Sequence, residues 1–253
     1  MGKAWRLRLI HLSEWLQRGI TPGLLHSQER YKKLLLDLIG PGSDWLDIGC
    51  GQRIFAEWLT DSLRAEKELV SRCHTAVGVD SGDSRPHRSL ETKYCADVES
   101  LPFPNASFSI VTANMVVEHL ADPESALREI YRVLRPGGLF VFHTPNARTP
   151  FVLLVRMIGS KLRTRVASFI DGRDQEDIFP TFYRLNDDYT IRSKADKIGF
   201  RVHRVSFIET APVLAIFGPV VVLEMVAILL LRLEMLAHLR PDLLVILLKP
   251  QGD

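Results

Sequence analysis

The chain has 253 residues, which is enough for one large domain with an elaborated part that covers a substrate. Its 32 lysines and arginines nearly balance 30 aspartates and glutamates, which excludes a general attraction to nucleic acid and other acidic partners. Three cysteines without a CxxC pair argue against a disulfide framework and a structural zinc site, so we expect a cytoplasmic protein that needs no metal.

The N-terminal segment, residues 1–42, is predicted to be a helical cap. Residues 4–16 carry apolar side chains at near-helical spacing, interrupted by charged residues that the core of a signal peptide would lack. This helix either packs on the domain or lies on a membrane surface. A second helix is predicted over 27–39, with Ser27 as its N-cap and a Gly-Pro-Gly sequence as its end.

Residues 43–253 alternate apolar strand-like runs with helical stretches. Seven strands are predicted, at 44–48, 75–79, 93–96, 107–113, 138–143, 201–208 and 243–248. The clearest helix, 123–134, has one apolar face and ends at an Arg-Pro-Gly-Gly sequence. The alternation predicts a doubly wound α/β domain built on a mostly parallel sheet, with apolar helical insertions at about 150–170 and 211–238.

A glycine-containing turn follows the first predicted strand. Residues 46–53, LDIGCGQR, lead from that strand into the turn, and a helical segment is predicted over 54–59. In an open α/β sheet, ligands bind outside the carboxyl ends of the strands, where glycines let the backbone approach a ligand closely. Asp47, Gly49 and Gly51 are therefore candidates for a nucleotide-like cofactor site. Alone, the motif also fits a turn that merely packs helix on strand.

Two more aspartates follow predicted strands. Asp80 ends the run TAVGVD, where a carboxylate can accept both hydroxyls of a ribose. Asp97 follows KYCA beside the apolar stretch 98–103, where a carboxylate can accept from the exocyclic amine of an adenine while apolar neighbours cover the ring. Each aspartate alone fits an ordinary turn or helix cap, but three at successive strand ends favour a ligand site.

A phosphate-binding loop is missing from the sequence. Dinucleotide-binding Rossmann proteins carry Gly-x-Gly-x-x-Gly, and here Ile54 occupies the position of the third glycine. The sequence also lacks Gly-x-x-x-x-Gly-Lys-Ser/Thr, which excludes a P-loop nucleotide hydrolase. A cofactor that has adenine and ribose but no phosphate therefore fits best.

A family resemblance extends over roughly residues 44–146, which contain LDIGCG, VGVD, ADVESLPFPNASFSIVTANMVVEHL and RVLRPGG. These motifs resemble the class I S-adenosylmethionine-dependent methyltransferases, in particular the broad group with LPF, EHL and RVLRPGG signatures. The stretch 179–202 resembles the tail of that group, where a tyrosine-arginine pair precedes a helix and a strand that begins with Gly-Phe. The resemblance implies a seven-stranded Rossmann-like methyltransferase fold, S-adenosylmethionine as cofactor and S-adenosylhomocysteine as product.

The resemblance also implies cofactor-binding roles for individual residues. They are Asp47, Gly49 and Gly51 around the methionine part, Asp80 at the ribose, Asp97 and Val98 at the adenine, and Asn114 and Met115 beside the sulfonium. The sequence departs from the family at Arg53, where a third glycine is often found. A cation at this position is expected to point away from the positively charged sulfonium.

Two histidines are candidates for the base that methylation of a hydroxyl would use. His119, in VVEHL near the fourth strand, is the first, because a neutral imidazole accepts a proton near pH 7. Its alternative role is to order the backbone of its loop. His143, at the end of the fifth strand, is the second candidate. Glu118 is expected to cap or brace the loop, and Cys50 to be a small packed residue rather than a nucleophile.

An apolar run covers residues 211–231, in which Glu224 is the only charged residue. A single membrane crossing there would separate the last predicted strand from its sheet, which argues against a transmembrane helix. Three interpretations remain: a lid over an apolar substrate, a homodimer interface, or a helix at a membrane surface. Residues 151–169 form a second apolar run with four cations, which suits the anionic inner face of a membrane.

Together these features predict an enzyme that methylates a hydroxyl of a small or lipid-linked acceptor, such as a glycan precursor, a quinone or another isoprenoid-like compound. Nucleic-acid bases are disfavoured as acceptors, because the fourth strand ends in ANMV rather than in an Asn-Pro-Pro-Tyr segment. Two other classes stay open. One is a catalytically silent binding or scaffold protein with a methyltransferase fold, and the other is a nicotinamide-dependent oxidoreductase.

Overall fold

A computed structural model describes residues 19–21, 23–82, 85–150, 152–153, 180–210 and 220–252. The chain divides into two compact units. The larger contains residues 28–145, 181–206 and 243–253, and the smaller contains residues 1–27, 146–180 and 207–242. The helix expected over 4–16 and the apolar run 151–169, except for residues 152 and 153, lie outside the described residues.

A seven-stranded sheet forms the framework of the larger unit, as predicted. Its strands are β1 (Asp44–Ile48), β2 (Thr75–Val79), β3 (Thr92–Tyr94), β4 (Phe108–Asn114), β5 (Leu134–Pro145), β6 (Arg201–Ile208) and β7 (Asp242–Leu248), in the spatial order β3-β2-β1-β4-β5-β7-β6. The first five strands pair in parallel. The end of β7 lies beside the start of β5, where Gly137 N–H donates to the Lys249 carbonyl at 2.8 Å, so β7 runs antiparallel to β5.

Five α-helices accompany the strands within the described residues. They are α1 (Ser27–Leu38), α2 (Ser62–Arg72), α3 (Pro123–Val133), α4 (Asp188–Ile198) and α5 (Val220–Leu231), and two 3₁₀-helices cover Val117–His119 and Glu234–Leu239. The predicted helices over 27–39 and 123–134 are confirmed as α1 and α3. No described helix combines the length and the apolar character that crossing a bilayer requires.

The helical segment predicted over 54–59 is wrong. These residues form bends and turns, and the next helix, α2, begins only at Ser62. The segment is tied to α2 instead, because Phe55 N–H donates to the buried Glu66 carboxylate at 3.1 Å. Ile54 and Phe55 are both buried, but they belong to a loop and do not form the apolar face of a helix.

Local sequence signals define the ends of α3 and α4. Asp122 caps α3 by accepting from the N–H groups of Glu124 and Ser125 at 3.0 and 3.1 Å. Asp187 caps α4 through Thr190 N–H at 3.1 Å, and Gly199 ends the helix with a φ of 103° that favours glycine. Each aspartate cap is worth about 1 kcal/mol to its helix.

The core of the larger unit lies on its central strands. All five residues of β1 are buried, and Trp45, Phe140 and Phe142 are among the largest side chains without solvent contact. Because β1 lies between β2 and β4, the loops that follow these strands share one edge of the sheet. The predicted cofactor residues fall at this edge.

Candidate active site

The turn after β1 uses its two glycines for different physical reasons. Gly49 has a φ of +66°, and a Cβ there would lie 2.3 Å from Val116 Cγ2, so close packing and backbone conformation both demand glycine. Gly51 has a φ of +51°, but a Cβ there would meet no described atom within 4 Å. Gly49 therefore packs against the turn after β4, whereas Gly51 borders open space.

Asp80, at the end of β2, fixes the turn after β1. Its Oδ2 accepts from Gly51 N–H and its Oδ1 from Gly82 N–H, both at 2.9 Å. On the other side of the same turn, Lys93 Nζ donates to the Gly51 carbonyl at 2.6 Å. A carboxylate can accept more than two hydrogen bonds, so this structural role is compatible with a further role toward ribose hydroxyls.

Asp47 lies beneath the turn and not on its surface. The carboxyl group is buried, and Oδ1 accepts from Thr112 Oγ1 at 2.5 Å. Thr112 Oγ1 in turn accepts from Trp45 Nε1 at 2.8 Å. Burial raises the pKa of Asp47 to about 7, and the neighbouring carboxylates of Glu66 and Asp80 raise it too, against the hydrogen bond from Thr112, which lowers it.

Asp97 follows β3 and is exposed. Its Oδ1 accepts from Glu99 N–H at 2.9 Å, and its carbonyl accepts from Ser100 N–H at 3.0 Å. These bonds give Asp97 the ordinary turn role that was the alternative to adenine binding. Val98 beside it is partly exposed, so both residues are accessible to a ligand at this edge.

The end of β4 is held by a polar cluster that sequence reasoning did not find. Asn114 and Gln28 of α1 exchange amide hydrogen bonds: Asn114 Nδ2 donates to Gln28 Oε1 at 2.8 Å, and Gln28 Nε2 donates to Asn114 Oδ1 at 3.2 Å. Met115 follows with a φ of +56°, an uncommon backbone conformation for a non-glycine residue, and its side chain is exposed. Strain of this kind concentrates at functional sites.

His143 belongs to the same cluster. Its ring is fully buried, stacks on Tyr31 with centroids 5.8 Å apart, and lies with Nδ1 3.0 Å from Asn114 Oδ1. Because an amide oxygen only accepts, Nδ1 carries the proton in this arrangement. Because the ring is buried, His143 is better suited to positioning Asn114 than to touching an acceptor molecule.

His119 ends the 3₁₀-helix after β4, and about a third of its side chain is exposed. The preceding residue, Glu118, is buried and accepts from Thr144 Oγ1 at 2.9 Å, and its carbonyl accepts from Phe182 N–H at 2.7 Å. Asn186 Nδ2 donates to the same Thr144 hydroxyl at 2.6 Å. Glu118 thus braces the loop, as expected. The imidazole of His119 next to it is more exposed than the Glu118 carboxylate.

Arg53, which departs from the family pattern, is bound by α2. Its Nε donates to Glu66 Oε1 at 2.9 Å and its terminal nitrogen to Ser62 Oγ at 2.8 Å. Glu66 is fully buried and also accepts from Ser89 Oγ at 2.7 Å. The positive charge is therefore compensated within the protein.

Cys50 is packed, as predicted. It is buried against Gly78, where a Cβ would lie 2.5 Å from the Cys50 sulfur, and burial raises the pKa of its thiol. Four structural residues of the site lacked a local signal in the sequence: Gln28, Glu66, Lys93 and Thr112. Each acts on a residue at least 13 positions away, which a scan of local motifs does not detect.

Comparison with known proteins agrees with this architecture. The model of a methyltransferase domain family matches residues 24–203. The malonyl-[acyl-carrier protein] O-methyltransferase of Serratia marcescens is 33% identical over 105 residues, 41% of this chain and 39% of that protein. The ubiquinone biosynthesis O-methyltransferase of Pseudomonas putida is 29% identical over 131 residues, 47% of this chain and 51% of that protein. The chain thus spans between about a third and a half of the length of the curated relatives it matches.

The fold is shared with solved methyltransferase structures. The geranyl diphosphate C-methyltransferase of Streptomyces coelicolor superposes with a TM-score of 0.53 at 14% identity, covering 88% of this chain and 80% of that one. The sheet and the family match define a Rossmann-like methyltransferase fold. The chain belongs to the class I S-adenosylmethionine-dependent methyltransferases.

The residues at the strand edge fit S-adenosylmethionine. The position of Gly51 next to open space leaves room for a ligand against the backbone, and Asp80 and Asp97 follow the adjoining strands β2 and β3. The turn lacks the third glycine of a pyrophosphate-binding loop: Ile54 stands at that position and is buried, and Arg53 before it is paired with Glu66. A nucleoside without phosphate matches this set of groups.

Proposed function

We propose that this chain transfers a methyl group from S-adenosylmethionine to a hydroxyl of a small or lipid-linked acceptor. The observation that carries the proposal is the hydrogen bond from Gly51 N–H to Asp80 Oδ2. Asp80 is the carboxylate expected at the ribose, and this bond joins it to the glycine turn. In this proposal Gly49 and Gly51 form the backbone wall of the site above Asp47. Asp97, Val98, Asn114 and Met115 complete it at the ends of β3 and β4.

The cofactor supplies an electrophilic methyl group on a sulfonium. The protein has to hold the acceptor oxygen in line with that methyl group and to exclude water, because the displacement needs no covalent enzyme intermediate. His119 is the proposed base, since its imidazole is accessible and follows the end of β4. His143 is proposed as a positioning residue that orients Asn114 through Nδ1.

Oxygen as the methylated atom is supported by two relatives that carry O-methyltransferase in their names. Those names also concern a carrier-linked malonyl group and ubiquinone biosynthesis, which suits an acceptor that is small or lipid-linked. A nucleic-acid acceptor is not proposed, because the formal charge of +2 offers little attraction to phosphate. A cytoplasmic location is supported by the three cysteines, none of which forms a disulfide.

Isothermal titration with S-adenosylhomocysteine, in mild detergent, tests the cofactor site. We expect micromolar binding by the intact chain, loss of binding in Asp80→Ala, and unchanged binding in Asp196→Ala, a matched removal of an exposed carboxylate on α4. Detectable binding would justify a screen of quinone, glycan-lipid and other hydroxyl acceptors with labelled methyl donor. No binding by the intact chain would overturn the enzymatic proposal.

Two other classes are separated by the same experiment. A catalytically silent binding or scaffold protein is favoured if the intact, folded chain binds no S-adenosylhomocysteine. A nicotinamide-dependent oxidoreductase is favoured if NAD raises the melting temperature and S-adenosylhomocysteine does not. The compensated Arg53 and the missing third glycine argue against the oxidoreductase.

A further inference from the structure

The side-chain amide of Asn114, at the end of β4, makes four hydrogen bonds within the protein. Its Oδ1 accepts from Gln28 Nε2 at 3.2 Å and from His143 Nδ1 at 3.0 Å. Its Nδ2 donates to Gln28 Oε1 at 2.8 Å and, over a longer 3.5 Å, to the Ile54 carbonyl. A primary amide has two acceptor sites and two donor protons, so these bonds use its whole capacity. The protein itself therefore orients the Asn114 side chain.

Gln28 supplies two of these four bonds from α1, 86 residues earlier in the chain. The residue is only 8% exposed, so the pair is shielded from water. Because each amide both donates to and accepts from the other, the pair fixes the plane of the Asn114 side chain as well as its position. An ionised glutamate could only accept at position 28, and a methionine could not form the pair at all.

Attachment of α1 to the sheet does not require this polar pair. Tyr31 and Leu35 on the same helix are fully buried, and Tyr31 stacks on the His143 ring. Burial of such side chains stabilises a helix more than a buried amide pair does, because the amides give up comparable hydrogen bonds to water. The apolar face accounts for the packing of α1, and the Gln28 amide accounts for the orientation of Asn114.

The residue after Asn114 has an uncommon backbone conformation. Met115 has a φ of +56°, which persists in a non-glycine residue only where its surroundings enforce it. Its N–H donates to the His143 carbonyl at 2.9 Å. Val116, the next residue, packs against Gly49 in the turn after β1. The oriented Asn114 therefore begins a turn that is strained and packs against the glycine turn.

We propose that Gln28 is a positioning residue for methyl transfer, which orients Asn114 and thereby fixes the turn at Met115. The inference rests on the proposed function, in which this turn borders the sulfonium. Gln28 acts through Asn114 and needs no contact of its own with cofactor or acceptor. The structural role alone would make Gln28 important for stability, whereas the positioning role makes it important at the sulfur end of the cofactor.

The two forms of the cofactor distinguish these roles. S-adenosylmethionine and S-adenosylhomocysteine differ only in the methyl group and the positive charge at sulfur. A residue that positions the groups beside the sulfur therefore changes the ratio of the two affinities, while a residue that only stabilises the fold changes both affinities alike. Binding of both ligands can be measured without an acceptor.

Isothermal titration of the full chain with each ligand tests the proposal. Gln28→Met keeps the length of the side chain but removes its amide. We expect it to weaken S-adenosylmethionine binding about three- to tenfold and S-adenosylhomocysteine binding about twofold or less. The control is Leu36→Ala, which loosens the packing of the half-buried Leu36 on the same helix and leaves the bonds of Asn114 in place. We expect this variant to keep the ratio of the intact chain.

Hydrogen exchange without ligand provides a second measurement. The Met115 amide is held by the His143 carbonyl, and we expect it to exchange faster in Gln28→Met than in the intact chain or in Leu36→Ala. An unchanged exchange rate at Met115 in Gln28→Met would contradict the link from Gln28 to the turn.

The outcomes of the titration separate this inference from the proposed function. An intact chain that binds neither ligand overturns the proposed function. Binding of both ligands by the intact chain, with the same affinity ratio in Gln28→Met, overturns the positioning role alone, and so does an equal change of the ratio in Leu36→Ala. Melting curves check folding. If Gln28→Met does not fold, Gln28→Asn replaces it, because its amide is one methylene too short to pair with both atoms of Asn114, and the same change of ratio is expected.

Discussion

Asp80 Oδ2 accepts a hydrogen bond from the backbone N–H of Gly51 at 2.9 Å. The acid that ends β2 therefore determines the shape of the turn after β1, before any ligand binds. Lys93 holds the carbonyl of the same glycine from the next strand, β3. The backbone of Gly51 is thus held at its N–H by a carboxylate and at its carbonyl by an ammonium group.

Substitutions of Asp80 and Lys93, the two partners of Gly51, distinguish the ordering of the turn from direct contact with a ligand. Asp80→Ala removes two charge-assisted hydrogen bonds, so we expect it to lower the free energy of unfolding by about 1–3 kcal/mol and to abolish S-adenosylhomocysteine binding. Lys93→Met loosens the same turn without removing the carboxylate, and we expect it to weaken binding about tenfold or less. Urea denaturation and titration calorimetry measure both quantities. Equal loss of binding in the two variants would show that Asp80 acts only through the turn.

Gly49→Ala is expected to be more damaging than Gly51→Ala. In Gly49→Ala the new Cβ would clash with Val116, and the alanine would have to keep a positive φ; together these cost about 2–5 kcal/mol. In Gly51→Ala only the positive φ is unfavourable, which costs about 1–2 kcal/mol. Urea denaturation compares the two. Adding Val116→Ala to Gly49→Ala is expected to recover part of the loss, and a double variant no more stable than the single one contradicts the steric explanation.

Asp47 is expected to make stability depend on pH. Its pKa is raised from 3.8 to about 7 by burial, so the protonated form stabilises the fold fully below about pH 4, and this contribution is lost as the pH rises through about 7. Asp47→Asn removes this loss, and at pH 8 we expect it to be more stable than the intact chain by about 1–4 kcal/mol. Melting curves of both proteins between pH 5 and pH 8 give the difference in stability between them. The other titrating groups affect both proteins equally and so cancel in this difference. A constant difference over this range would contradict the prediction.

Arg53 cannot simply be returned to the glycine of the family. Arg53→Gly leaves the buried Glu66 carboxylate without its cation, which is expected to cost about 3–5 kcal/mol. Adding Glu66→Gln is expected to restore much of that stability, because it removes the uncompensated charge. Arg88→Ala is the control, since Arg88 pairs with Glu57 at the exposed surface and its loss should change stability by at most about 1 kcal/mol. Denaturant titration distinguishes these cases.

The roles proposed for the two histidines differ in their kinetic consequences. If His119 is the base, His119→Gln lowers kcat by about 10²–10⁴-fold and removes the acidic limb of the pH–rate profile. His143→Gln, at a buried positioning residue, is expected to leave that limb in place while kcat falls less. Steady-state rates from pH 5 to 9 on an acceptor found by screening make the comparison. A retained acidic limb in His119→Gln would falsify the assignment.

Much of the fold was predictable because its signals are local. The strands 44–48, 75–79 and 201–208 have the predicted bounds. Gly49 and Asp80 end the first two, and the helix-ending Gly199 lies just before the third. The helix predicted over 54–59 was wrong: these residues form bends and turns, and the Phe55 N–H binds a carboxylate at position 66 that no local motif reveals. Nor could the burial of Asp47 be anticipated, because its partner Thr112 comes from another strand 65 residues later.

Val116 packs so closely against Gly49 that we expect the turns after β1 and β4 to move together. We therefore expect these turns to be among the slowest regions in amide hydrogen exchange. Under the proposed function, segments outside the turns would control the exchange of cofactor and acceptor. Attempts to change the acceptor can accordingly leave the turns after β1 and β4 unaltered. Under the proposed function, substitutions in the outer segments would alter which molecule is methylated while the donor stays the same.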